Sequence, residues 1–273
     1  MNAVDRHYGR PTLHRAILDG LRASGRDPEA PTLEDLAPVE HFHLRGREAT
    51  EELAHLAGLV PGTRVLDVGG GIGGPARTLA RDFGCRVTVL DLTEEFCRVG
   101  TDLTRRTGLA GSVEFRHGDA LDPPWPDGAF DAAWTQHATM NIADKERLYR
   151  QLHRVVRPGG RLAMHEIVAG PNGPIHFPVP WATEPSISHL RPAEEVRALI
   201  GRLGFESLAW RDQSVPSLDW VRERIAAAAA AGGPPALGVH LVLGPEAPTM
   251  FANVARNLVE DRIRVIMAVW SRA

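Results

Sequence analysis

Residues 65–74 read Val-Leu-Asp-Val-Gly-Gly-Gly-Ile-Gly-Gly, an apolar run that passes through Asp67 into a loop with almost no side chains. Such a loop lets the backbone turn without Cβ clashes and approach a ligand closely. The spacing of Ala76, Leu79, Ala80 and Phe83 predicts a helix from Pro75 to Phe83 directly afterwards. Its unpaired N–H groups and positive dipole end would open into the same space. These flanks argue against a flexible linker, which is preceded by no apolar strand and followed by no amphipathic helix.

Two glycine fingerprints overlap here. Gly69-x-Gly71-x-x-Gly74 fits the dinucleotide pattern, whereas Asp67-x-Gly69-x-Gly71-x-Gly73 places an acid just before the glycines. A carboxylate beside the loop repels a pyrophosphate but accepts hydrogen bonds from a cationic amino-acid group. S-adenosylmethionine has an ammonium, a sulfonium and no phosphate, so it suits this loop better than NAD. Asp91 ends the β-branched run Arg86-Val-Thr-Val-Leu-Asp91, eighteen residues beyond Gly73. At the end of a second parallel strand that carboxylate would hold a ribose diol, a feature both cofactors share. Asp119, closing Val113-Glu-Phe-Arg-His-Gly-Asp119, is placed to meet an adenine amino group, with Leu92 and Ala120 beside the two acids.

The elements that position these groups alternate. A third strand covers 113–119, a fourth covers Phe130–Gln136, a helix runs over Asp144–Val156, and a fifth strand covers Arg161–Glu166 after the breaker Arg157-Pro158-Gly159-Gly160. Strand and helix at this spacing imply right-handed crossovers and a parallel sheet. Before the core, Leu13, Ile17, Leu18 and Leu21 mark an amphipathic helix, and another enters Leu53–Leu59. After Glu166 comes a Pro-rich loop whose Ile175, Phe177, Val179 and Trp181 are too apolar for disorder, which favours a lid. Pro192 opens and Gly204 closes a helix. Strand six is expected at Phe205–Arg211 and strand seven at Arg262–Trp270, with a helical insertion over 215–260 that either covers the sheet's carboxyl edge or forms a dimer contact. The division is a helical cap over 1–60, a cofactor-binding core over 61–168, and a lid loop, insertion and last two strands over 169–273.

Asp67-Val-Gly-Gly-Gly-Ile-Gly, Asp91, Gly118-Asp119-Ala120 and Val155-Val-Arg-Pro-Gly-Gly-Arg-Leu together resemble the motif set of class I S-adenosylmethionine-dependent methyltransferases, in order and spacing, over about residues 60–170. The resemblance implies an α/β, Rossmann-like class I methyltransferase fold: a seven-stranded, mostly parallel sheet with an antiparallel last strand and helices on both faces. Phe42-His43-Leu44-Arg45-Gly46-Arg47 and Gln136-His137-Ala138-Thr139-Met140-Asn141 resemble a narrower branch of sarcosine/dimethylglycine N-methyltransferases, near the quinone and tocopherol methyltransferases. In that branch the segment around His43 crosses the cofactor, with Gly46 allowing close approach and Gln136 beside the cofactor. Asp122-Pro-Pro-Trp125 matches the tetrapeptide that adenine-N6 methyltransferases use after strand four, but here it precedes that strand and reads as a tight loop.

Attack on a sulfonium methyl needs alignment, plus a base if the acceptor must lose a proton. His137 directly follows strand four and titrates near neutrality; it is either that base or a loop histidine holding backbone. Glu166, at the expected end of strand five, either binds a substrate ammonium, acts as the base, or caps the next loop. Alternation sends His165 to the opposite face, against a helix. His43, Met140, and the lid residues His176, Trp181 and His189 are the remaining contacts considered for the acceptor, although Trp181 serves equally as a core anchor. Arg45 or Arg47 would clamp a carboxylate or stay solvated. The acceptor is expected to be the nitrogen of a small amine, with carbon or oxygen of a phenol, quinol or isoprenoid-like metabolite as the alternative. A non-methylating binding protein or cyclase on the same scaffold, and a dehydrogenase, complete the readings.

Composition places the chain among soluble enzymes. Of 273 residues 43% are hydrophobic, and the net charge of −3 has both signs interspersed, which argues against a nucleic-acid partner. No apolar run reaches the ~18 residues of a membrane span. Residues 1–7 lack a leader's apolar core. Cys85 and Cys97 read as reduced packing residues, and no metal spacing is evident, so the expected location is cytoplasmic, with a homodimer left open. Asp91→Ala should weaken S-adenosylmethionine binding at least about tenfold without unfolding the chain, roughly the loss of one charge-assisted hydrogen bond. Calorimetric titration checks this, and unchanged affinity would remove the ribose assignment.

Overall fold

Seven strands form one sheet. They are β1 (Arg64–Val68), β2 (Arg86–Asp91), β3 (Val113–His117), β4 (Phe130–Gln136), β5 (Val156–Ala169), β6 (Phe205–Asp212) and β7 (Ile263–Arg272), in the order β3-β2-β1-β4-β5-β7-β6. The computed structural model describes residues 12–273, so the chain start read above as lacking a leader lies outside the described residues. Strands β1 to β5 pair in parallel, whereas β7 runs antiparallel to both β5 and β6. This is the mostly parallel sheet with an antiparallel last strand that the motifs imply.

The near-continuous apolar runs of β1, β2 and β4 follow from burial on both faces. On one face, α3 (Gly46–Ala57) and α4 (Gly74–Phe83) pack Leu53, Ala54, Ala76 and Leu79 against Val65, Val87, Trp134 and Ala163. On the other, α6 (Lys145–Val155) and α7 (Ala193–Arg202) pack Leu148, Leu152, Val196 and Ile200 against Leu66, Leu162 and Met164. α5 (Glu94–Arg106) joins α1 (Leu13–Ala23) and α2 (Leu33–Glu40) around Ile72 of the glycine loop. The insertion is helical as expected: α8 (Ser214–Ala230), α9 (His240–Leu243) and α10 (Ala247–Val259). Among the described residues, no helix is long and apolar enough to cross a membrane.

One boundary matters for the site. β5 begins five residues before the expected Arg161 and continues past Glu166 to Ala169. Pairing with β4 ends at His165, but β7 supplies ladder partners from Arg161 to Ala169 and carries the strand on. Glu166 is therefore an interior strand residue rather than a strand end.

A buried ion pair ties the cap to the core. Arg77 of α4 and Glu40 of α2 both have fully buried side chains, with Nη2 donating to Glu40 Oε2 at 2.6 Å. The same guanidinium donates to the Ile72 carbonyl at 2.8 Å and to Thr104 Oγ1 at 2.8 Å, so one side chain links α2, the glycine loop and α5. Arg77→Met would leave the Glu40 carboxylate buried without its counter-charge. The expected cost is about 3–5 kcal/mol in urea unfolding, with a smaller loss in the Arg77→Met/Glu40→Leu double variant.

Candidate active site

Strand order reverses between β2-β1 and β4-β5, and a crevice opens there at the carboxyl ends of the strands. It encloses about 1290 Å³ including its mouth. That space includes open solvent at the mouth, and its walls come from the strand ends, the cap, the lid loop and the insertion.

One half is built by the glycine loop. Gly69, Gly71 and Gly73 have φ of 67°, 58° and 88°, in the left-handed region that favours glycine. A Cβ on Gly69 would stand 2.5 Å from the Ala138 Cβ, and one on Gly70 2.5 Å from Asp67 Oδ2. Asp91 holds the loop: its Oδ2 accepts from the Gly71 N–H at 2.9 Å and its Oδ1 from the Thr93 N–H at 2.8 Å. Asp67 is buried with Oδ2 lacking any protein partner. Burial, and then the nearby Asp91 charge, push its carboxyl up to about 8. Glu40 Oε1 is likewise buried on the wall of the same crevice and accepts no hydrogen bond, with His41 Nε2 3.9 Å away. The carboxylates of this half thus await cationic or hydroxyl donors, beside the N-terminus of α4.

The other half is apolar and roofed. Leu44, Met140, Ile167 and Trp181 share one apolar cluster with Val254 of the insertion, and Leu243 and Phe251 of the insertion also line the crevice. Trp181 is fixed by its Nε1–H on Ser188 Oγ at 2.9 Å, and Asn141 Nδ2 holds the Trp181 carbonyl at 2.7 Å. No Lys or Arg lines the crevice among the described residues. Arg45 is turned to Glu48, Glu52 and Gln213, and Arg47 to Glu34, Glu51 and Asp82, so neither clamps a ligand carboxylate.

Most of the residues singled out from the sequence meet at this crevice. Asp67, Gly69, Gly71, Asp91 and Leu92 line it, as do Asp119, Ala120 and Gln136; His43, His137, Met140 and Trp181 stand on the same wall. Five residues do not. Gly73 is packed beneath the Phe115 ring, and Gly46 lies near Trp220 and His41 rather than on the crevice. Glu166 faces α6, the face opposite His165, where its carboxylate accepts from the Ala138 and Thr139 N–H groups at 3.4 and 3.2 Å. Burial pushes its pKa up and lowers that of neighbouring Lys145 to about 8. His176 binds Glu260 Oε2 at 2.8 Å and fastens the lid loop to the end of α10, while His189 donates its backbone N–H to the Met140 carbonyl.

Sequence reasoning missed Glu40, Leu243 and Phe251, which reach the crevice through tertiary packing and have no local signal, and it quoted Phe42 in the segment around His43 without giving it a role. His165 could have been found: it alternates with Ile167, which lines the crevice, and its ring lies 4.7 Å from that of His137 and 6.0 Å from that of His43. Among the described residues, no cluster of His, Cys, Asp or Glu is arranged to hold a metal ion.

The buried histidines set the pH response of the free protein. Burial pushes His41 and His43 down to about 3, and His137 and His165 well below the ordinary value. Between about pH 4 and 6.5 the unfolded chain therefore binds more protons at these groups, and stability rises with pH. Asp67 acts oppositely: protonated when folded up to about 8, it makes stability fall with pH from about 4 to 8, outweighed by the four histidines below pH 6.5 and no longer opposed by them above it. Denaturant unfolding should show maximal stability near pH 6.5, with slopes of about 1.4 kcal/mol per pH unit for each net proton. A flat profile below pH 6 would mean the imidazoles are solvated.

Comparison with known proteins agrees with this geometry. Residues 66–164 match the family model described as methyltransferase domain. A sterol 24-C-methyltransferase of Eremothecium gossypii is 34% identical over 181 residues, covering 64% of this chain and 48% of that protein. A glycine/sarcosine/dimethylglycine N-methyltransferase of Actinopolyspora halophila is 30% identical over 177 residues, covering 65% of this chain and 31% of that protein. The chain thus spans about half or less of the length of these two curated relatives. Among solved structures, the 4+2 cyclase SpnF superposes with a TM-score of 0.67 at 25% identity, covering 89% of this chain and 97% of that one.

Proposed function

We propose that this chain, which carries a methyltransferase domain over residues 66–164, transfers a methyl group from S-adenosylmethionine to an apolar small molecule, at oxygen or carbon. The observation that carries the reading is the division of one crevice into a carboxylate-lined half and a roofed apolar half. S-adenosylmethionine supplies a sulfonium-activated methyl group. Asp67 and Glu40, each with a carboxylate oxygen that accepts no hydrogen bond, suit its ammonium; Asp91, at the end of β2, suits the ribose hydroxyls. The N–H groups at the start of α4 suit its carboxylate. The apolar half excludes water, which favours a reaction that disperses the sulfonium charge.

The acceptor argument departs from the amine nitrogen expected first. An amino acid such as sarcosine brings a carboxylate, and Arg45 and Arg47, the cations considered for it, are engaged elsewhere. A lipid-like or aromatic acceptor fits beneath Trp181, Phe251 and Val254 without an ionic partner. SpnF, named a cyclase, keeps the alternative of a non-methylating scaffold in view.

Methyl transfer from isotopically labelled S-adenosylmethionine into the apolar fraction of a metabolite extract, read by mass spectrometry, tests this reading. A product one methyl heavier, with nothing in the polar amine fraction, is expected; label confined to amines would overturn the acceptor class, and cofactor binding with no turnover would favour the cyclase-like reading. Binding the cation must also release the Asp67 proton. Affinity for S-adenosylmethionine should therefore rise as pH goes from 6 to 8, by up to about tenfold per unit, and Asp67→Asn should abolish that dependence. Titration calorimetry in buffers of different ionisation enthalpy measures the released proton directly.

A further inference from the structure

Resting on that reading of the site, we propose that the acceptor reacts through a hydroxyl of phenol or enol type, and that His137, backed by His165, takes its proton as the methyl group arrives. His137 would be the catalytic residue and His165 a positioning residue.

The wall at the end of β4 has polar groups that the protein itself does not satisfy. Both ring nitrogens of His137 and both of His165 are shielded from solvent and make no hydrogen bond of good geometry, the His137 ring lying beside the His165 backbone. The two rings meet edge to face, 4.7 Å apart at 70°, and the His43 ring lies 6.1 Å from that of His137. The His137 backbone N–H donates to the His165 carbonyl at 2.9 Å, so the two residues are fixed to each other through the sheet edge. His137 also has a φ of 50°, the left-handed region that costs a non-glycine residue about 1–3 kcal/mol. Such strain is retained where the ring's position matters.

Gln136 supplies the complementary donor. Its Oε1 accepts from Trp134 Nε1–H at 2.9 Å and from the Thr50 hydroxyl at 3.1 Å. Because the indole can only donate, the amide orientation is fixed. The Gln136 Nε2 group is left buried without a partner, in a side chain that lines the crevice. A hydroxyl answers both needs: it gives its proton to an imidazole nitrogen and accepts from Gln136 Nε2. An alkene answers neither. An ammonium would set a second cation beside the sulfonium.

The charged and titratable groups around His137 are few. His41, His43 and Arg45 come from the segment before α3, with Arg45 paired to Glu48 and Glu52. Asp67 is the last residue but one of β1, in the carboxylate-lined half, and Glu166 on β5 is held by the Ala138 and Thr139 N–H groups on the opposite face. Burial keeps His137 and His165 neutral, as a proton acceptor must begin. In the step, an O–CH3 bond forms, the S–CH3 bond breaks, the sulfonium becomes a neutral thioether, and the hydroxyl proton ends on a His137 ring nitrogen. The site holds one positive charge before and one after. The like charge that disfavours imidazolium disappears as the imidazolium is needed, and the proton leaves to water with the product.

The test uses the full chain with ¹⁵N-labelled histidine. Calorimetry first establishes binding of S-adenosylmethionine and S-adenosylhomocysteine; failure of both would sink the site reading itself. With both bound, imidazole ¹⁵N shifts should show His137 titrating at least one pH unit higher with S-adenosylhomocysteine than with S-adenosylmethionine. On the S-adenosylhomocysteine-loaded protein, phenol should bind at least about tenfold more tightly than toluene or benzylamine at pH 7 and should perturb the His137 ring. His137→Asn should remove that preference. His165→Gln should weaken the preference for phenol and perturb the His137 ring resonances, while the difference in titration between the two cofactors, which comes from the sulfonium charge, stays in place. Identical titration with both cofactors, or no preference for phenol over toluene and benzylamine, including no binding by any, overturns the proposal while leaving the cofactor site standing.

Discussion

The hydrogen bond from the Gly71 N–H to the Asp91 carboxylate fixes the geometry on which the crevice depends. It joins the loop after β1 to the end of β2 and holds a glycine in a left-handed conformation that the chain would otherwise sample among many. With the loop so held, Pro75 at the start of α4 lines the crevice, and Asp67 is trapped beneath Gly70 with one oxygen unpartnered. The cost is two buried carboxyls near each other, both with pKa raised by desolvation. A cationic ligand relieves that cost, so loop architecture and ligand charge are physically coupled.

The two halves of the crevice solve different problems by different means. The first uses buried carboxyl groups and backbone, supplied by the parallel core and by Glu40 of the cap. The second uses apolar side chains from three separated segments: Leu44 before α3, Trp181 in the lid loop, and Phe251 and Val254 of α10. The lid loop is not loose. His176, Asn257 and Glu260 fasten it to α10, and Trp181, Val179, Val254 and Ile263 share one apolar cluster. Closure over the second half is therefore a property of the packed insertion.

β5 shows how a sheet sorts neighbouring residues into different roles. His165 faces α3 and meets His43 and His137, whereas Glu166, one residue later, faces α6 and braces the turn after β4. Alternation along the strand gives this division. Both side chains are buried and both have shifted pKa values, yet only the one on the crevice side belongs with His137. A carboxylate taken by position as a reacting group is instead occupied with backbone.

Much was legible in the chain itself. Asp67 and the glycines, Asp91 eighteen residues beyond Gly73, and the Arg-Pro-Gly-Gly turn are local signals, because a loop that must approach a ligand needs its residue types at fixed spacing. Strand and helix alternation followed from the same pattern, whereas the antiparallel last strand was implied only by the resemblance to class I methyltransferases. The apolar half was legible only in part: Met140 and Trp181 were singled out from the chain, but Leu44, Leu243, Phe251 and Val254 are ordinary apolar residues whose convergence depends on how the cap and insertion pack over the sheet. The length of β5 was decided by β7, nearly a hundred residues further along the chain, and with it the fate of Glu166. Local sequence determines where backbone must bend to meet a ligand. Which side chains then share a buried wall is set by long-range packing, because burial and charge pairing depend on neighbours that the chain brings together only when it is folded.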